Sequence, residues 1–211
     1  MARIKTLTAA IIFSVLPSGI AVGENEQAID MAISVQEPGQ LEMVDWALSR
    51  FDAAGLELPP LLIRFPDRDS PLCDGIQGRT FLSTDPIEVR MCWNSEFILL
   101  HELAHVWESA NFPTDNHGRF NEMRHDVESW ASPDDPWKTQ GREHAANVIA
   151  WGLLEDPYPI SETYPNDIAS MVEAFHFLTG VSPLHDGGDG IQHPDRSRLG
   201  SDSAPPLERG R

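Results

Sequence analysis

Ser95-Glu96-Phe97-Ile98-Leu99-Leu100-His101-Glu102-Leu103-Ala104-His105-Val106-Trp107-Glu108 is the stretch on which the reading of this chain turns. Apart from His101, Glu102, His105 and Glu108 it leaves almost no polar face, so Ser95 to about Ala110 predicts a buried central helix. Burying an ionisable group costs on the order of several kcal/mol unless coordination or hydrogen bonding offsets it. The pattern His101-Glu102-Leu103-Ala104-His105 is HExxH. Two histidines four residues apart share one helix face, where both imidazoles reach one metal ion at about 2.0–2.1 Å. Glu102 then stands beside the open coordination position, placed to take a proton from the ion's water, whose pKa zinc lowers toward about 7.

Two histidines do not complete such a site. Glu108 lies seven residues from His101, about 10 Å along the helix axis, too far to share the same ion, and is assigned to the outer shell. Glu143 opens Glu143-His144-Ala145-Ala146-Asn147, an ExxAN pattern on a helix predicted from Glu143 to Leu154. Ala146, Asn147 and Ala150 share its face, and small residues there allow close packing against the HExxH helix. Glu143 is therefore the expected third ligand, with Asp126 and His144 as fallback ligands.

Working outward, Leu41, Val44, Leu48 and Phe51 recur at helical spacing and predict a helix over 40–54 that stops at Gly55. Leu61 to Phe65, Arg79 to Ser83 and Ile87 to Cys92 read as short strands, the last with Ile87, Val89 and Met91 on one face. Phe120, Met123, Val127 and Trp130 suggest a helix over 119–130. A final helix is expected from Pro165 to Thr179, capped by Gly180. Trp107, Trp130 and Trp151 read as core packing. The predicted class is α+β, a small sheet beside a buried HExxH helix with further helices after it. Residues 24–39 read as a polar, loosely ordered segment, 40–182 as the domain and 183–211 as a disordered tail.

Residues 1–23 read as a signal peptide. Arg3 and Lys5 precede the apolar run Leu7 to Leu16, which Pro17-Ser18-Gly19 and the small residues Ala21-Val22-Gly23 follow. Ten apolar residues fall well short of the roughly 20 that span a bilayer, so the expectation is a secreted or periplasmic protein with no stable membrane insertion after cleavage. Formal net charge is −18, and residues 1–23 carry two positive and no negative charges, leaving −20 afterwards. Such repulsion argues against nucleic acid as a partner. The only cysteines, Cys73 and Cys92, fall in the exported part and are expected to form a disulfide.

With these motifs in place, HELAHVWE followed by the ExxAN helix resembles the gluzincin-type zincin metallopeptidases, in particular their ImmA/IrrE-like members. The segments Cys73 to Gly78 and Ile87 to Cys92 also resemble those of small exported bacterial proteins bearing this motif. The resemblance covers roughly residues 60–180. The long metzincin pattern does not apply, since Glu108 and Asn111 stand where it requires Gly and His. The resemblance implies a zincin-like fold holding one Zn2+ through His101, His105 and Glu143, with Glu102 as the catalytic residue and a peptide or protein as substrate. It also implies that a strand beside the active helix binds extended substrate, and Ile87 to Cys92 holds that position by order. Tyr164, His176, His185 and Arg142 are the candidates for stabilising an oxyanion, while His117, His125 and His193 receive no role. The alternative is a non-catalytic zinc-binding module of the same shape with a structural or partner-binding role.

Overall fold

The computed structural model describes residues 31–161, 163 and 165–185. The expected signal peptide, Tyr164, His193 and most of the expected tail lie outside them. The class is α+β: among the described residues there are a four-stranded sheet and five α-helices. In chain order these are β1 (Met31–Ser34), α1 (Pro38–Ala53), β2 (Leu61–Arg64), β3 (Gly78–Phe81), β4 (Ile87–Met91), α2 (Glu96–Asn111), α3 (His117–Met123), α4 (Gly141–Leu153) and α5 (Ile168–Thr179). No helix among the described residues is long and apolar enough to cross a membrane.

The sheet order is β1-β2-β4-β3, with β1, β2 and β4 parallel and β3 antiparallel to β4. Parallel neighbours need a crossover, and α1 provides it between β1 and β2. Leu61, Ile63, Val89 and Met91 are buried, as strands covered by helices require. β4 therefore has partners on both sides, which corrects the expectation that it offers an edge to substrate. Among the described residues the outer strands are β1 and β3, and Gly78 to Phe81 of β3 pair with β4 alone.

α2 begins at Ser95, whose side chain accepts from the Ile98 N–H at the orphan first turn, and Glu96 there suits the positive end of the helix dipole. It contacts β3, β4, α1 and α4. α4 buries every residue except Arg142, and Ala145, Ala146 and Ala150 are the small side chains that permit this. Apolar residues from the sheet and all five helices form one contiguous core that includes Trp107 and Trp151, with Trp130 packed against it.

Four departures from the sequence reading bear on the packing. β1 lies inside the segment taken as loosely ordered, because four residues of mixed polarity become a strand only once β2 pairs with them. α3 ends at Met123 rather than running to Trp130. Arg124 turns extended there and buries its guanidinium, donating to the Pro165 carbonyl and lying 3.7 Å from the Met171 sulfur. α5 starts after Asp167, whose carboxylate accepts from the Ser170 N–H, so Pro165 precedes the helix. The domain also reaches past residue 182, since the Leu184 N–H donates to the Gly152 carbonyl at 2.8 Å.

Cys73 and Cys92 are bridged. Their separation of 19 residues ties the loop before β3 to the end of β4, and closing a loop of that length stabilises by about 3 kcal/mol on the chain-entropy model.

The α4–α5 crossing depends on Gly152, where an added Cβ would lie 2.1 Å from Phe175 Cδ2 in the core. Gly152→Ala is expected to lower unfolding free energy in urea by roughly 1–3 kcal/mol through overpacking. Gly118→Ala at an exposed position of α3, where a Cβ meets nothing within 4 Å, serves as the control and should not destabilise. Equal stability of Gly152→Ala and the parent would contradict this packing.

Candidate metal centre

The first turn of α4 is fixed before it contributes a ligand. Ser129 and Gln140 form a parallel bridge, the Gly141 N–H donates to the Ser129 carbonyl at 2.7 Å and the Arg142 N–H donates to the Trp130 carbonyl at 3.0 Å. A Cβ on Gly141 would lie 2.2 Å from Asn121 Oδ1 and 2.9 Å from Trp130 Cε3, so the chain passes here only because the residue is glycine. The stretch after Met123, expected as helix, is thus the brace that sets the register of α4 against α2.

That register brings Glu143 over the two histidines of α2. Glu143 Oε2 lies 3.2 Å from His105 Nε2 and 3.3 Å from His101 Nε2, and the two Nε2 atoms are 3.2 Å apart. Among the described residues these three side chains form the one group whose ligand atoms lie close enough together to hold a metal ion. Four ligands at 2.0–2.1 Å around a tetrahedral ion are separated from one another by about 3.3–3.4 Å. The observed triangle has nearly that edge, so the donor set fits a tetrahedral ion with one position to spare.

No family model, curated protein or solved structure matches this chain.

The electrostatics of the triad call for a cation. Asn147 Oδ1 is 2.9 Å from His101 Nδ1 and is placed to accept a proton there, the tautomer in which Nε2 is free to ligate an ion beside Glu143 and His105. Burial alone would push the His105 imidazole down, but the neighbouring carboxylates of Glu108 and Glu143 outweigh it and raise the pKa to about 10. Burial likewise pushes Glu143 up, yet His101 and His105 hold its carboxyl well below the ordinary carboxylate range. Positive charge among these atoms is thus strongly favoured, and a divalent ion supplies it without protonating the ligands. Glu108 stays outside the triad, with Oε2 3.8 Å from His105 Nδ1 on the far side of that ring and its carboxyl pushed up by burial.

Glu102 is held by Thr80, which no local sequence pattern singles out. Thr80 Oγ1 lies 2.8 Å from Glu102 Oε2 and 2.9 Å from the Glu102 carbonyl oxygen, sharing its one proton between them. A Cβ on Gly78 would lie 2.8 Å from both Oε1 and Cγ of Glu102, so β3 approaches α2 this closely because residue 78 is glycine. Both contacts depend on how the sheet edge lies over α2, which no local pattern encodes. Glycine next to a strand signal was the single visible hint.

Glu102 and the triad open into a cleft of about 550 Å³ that Arg79, Leu82, Phe97, Trp137 and Arg142 also line. Of the oxyanion candidates with a described position, Arg142 alone lines it. His176 borders a different cleft and has Nδ1 3.3 Å from the Val181 carbonyl, and His185 has Nε2 3.1 Å from the Trp151 carbonyl. The fallback ligands also lie elsewhere. Next to Glu143 on the helix, His144 points about 100° round it, with Nε2 2.8 Å from the Lys138 carbonyl in a separate cleft shared with Asp126.

Asn147 orients His101 without being a ligand, and loss of such an orienting group typically weakens metal binding about 10- to 100-fold. Asn147→Ala is expected to show that loss in a competitive zinc titration while keeping its helical circular dichroism. Unchanged affinity would mean that His101 needs no partner at Nδ1.

Proposed function

We propose that this chain is an exported zinc-dependent peptidase of the gluzincin type, holding one Zn2+ through His101, His105 and Glu143. The observation that carries the reading is the near-tetrahedral spacing of three ligand atoms directly beside a carboxylate, Glu102, in an open cleft. A purely structural ion needs neither the cleft nor the carboxylate. Two imidazoles and one carboxylate suit zinc among the divalent ions.

Bound there, zinc supplies Lewis-acid chemistry, polarising a carbonyl oxygen and bringing water into the range of a neutral-pH nucleophile. The rest falls to the protein. Thr80 engages Oε2 of Glu102, leaving Oε1 to accept a proton from the attacking water and return it to the leaving amine nitrogen. β3 borders the cleft with an outer edge that no strand among the described residues pairs, and an extended peptide can add to that edge through backbone hydrogen bonds. Peptides and proteins are accordingly the substrate class. A Cys73–Cys92 bridge fits an oxidising compartment, as does the charged and apolar leader at residues 1–23.

The test uses the mature chain loaded with zinc and a mixture of peptides of varied sequence, with cleavage read by mass spectrometry. Wild type should cut a subset of bonds, and Glu102→Gln should retain zinc while losing at least about 10²-fold in rate. Hydrolysis by Glu102→Gln at the wild-type rate would remove Glu102 from the mechanism, and inertness of the loaded wild type toward every peptide would remove the peptidase reading.

A further inference from the structure

Arg142 stands apart on its helix. Every other residue of α4 is buried, whereas the Arg142 side chain keeps 40% of its surface and lines the cleft. Its Nε is engaged from behind, 3.2 Å from Glu143 Oε1 and 3.1 Å from Gln140 Oε1, and its backbone N–H is fixed on Trp130. Among the described residues no hydrogen-bond or ion-pair partner meets its two Nη nitrogens. One edge of the guanidinium thus holds the ligand's second oxygen, so that Oε2 alone faces the histidines, and the Nη pair is left for something else.

Charge says what that is. With a divalent ion in the triad, the two carboxylates of the cleft, Glu102 and Glu143, balance it, and Arg142 and Arg79 remain as surplus positive charge. In a chain of net charge −18 this is a local exception. Two parallel N–H groups match a carboxylate better than a single oxyanion oxygen, and oxyanion donors work best where water is excluded, which a two-fifths exposed side chain is not. Resting on the peptidase reading above, we infer that Arg142 is the receptor for a carboxylate of the substrate, placed beside the bond to be cut. Leu82 and Trp137, exposed on the same cleft, and Phe97 supply an apolar wall for a large side chain next to that carboxylate. The carboxylate comes either from the peptide's own C-terminus or from an Asp or Glu side chain.

Binding can be measured without turnover in the full-length, zinc-loaded Glu102→Gln protein. Three probes separate the sources: N-acetyl-Ala-Ala-Phe with a free C-terminus, the same peptide as its amide, and N-acetyl-Ala-Asp-Phe amide. One of the two carboxylate-bearing probes should bind at least about tenfold tighter than the neutral amide, as charge-assisted hydrogen bonds provide. The free acid would identify the C-terminus as the source, and the Asp peptide would identify a side chain. Arg142→Gln should erase the preference and Arg142→Lys should keep only part of it, both scored on chains whose zinc content is verified. A preference that survives in zinc-bearing Arg142→Gln would place the carboxylate on the ion and overturn the inference, as would the absence of any preference. Hydrolysis of the peptide mixture by wild type with no acid preference would sink this inference alone. Preference without hydrolysis would sink the peptidase reading and leave Arg142 as a carboxylate receptor.

Discussion

Two lone-pair nitrogens and a carboxylate oxygen held 3.2–3.3 Å from one another, mostly out of water, are a burden on any fold that does not put positive charge between them. In an interior of low effective dielectric, charges and dipoles of one sense repel strongly, and the desolvation of each ionised group adds several kcal/mol, at order of magnitude. The other features of the domain can be understood as what it takes to hold that arrangement. Alanines on α4 let it press against α2, Gly141 lets the chain enter α4 past Asn121 and Trp130, and Gly78 with Thr80 brings the sheet edge onto Glu102. Asn147 and Arg142 then orient the ligands, one fixing the His101 tautomer and the other occupying the spare oxygen of Glu143.

The centre is legible in the sequence because its geometry is local twice over. His101 and His105 meet through the pitch of one helix, and Glu143 and Asn147 through the pitch of another. The one long-range fact needed was that the two helices touch, and the small residues of α4 announced it. The α+β class was legible for the same reason, since each main element carries its own period.

What the sequence hid is non-local. β1 has no pattern of its own and exists because β2 accepts it as a parallel neighbour. The order β1-β2-β4-β3, which makes β3 and not β4 the edge beside the cleft, follows from the hairpin folding back outside β4, and no residue type marks that choice. Phe120, Met123, Val127 and Trp130 recur at helical spacing, yet burying Arg124 and bridging Ser129 to Gln140 prevail over helix propensity after Met123. Thr80 acts on Glu102 only through that same sheet placement.

Elemental analysis of the purified mature chain decides whether the triad is a metal site. One zinc per chain is expected in the wild type, lost or much weakened in both His105→Ala and Glu143→Ala. Absence of metal after zinc supplementation, or zinc that Glu143→Ala binds as tightly as wild type, would contradict it.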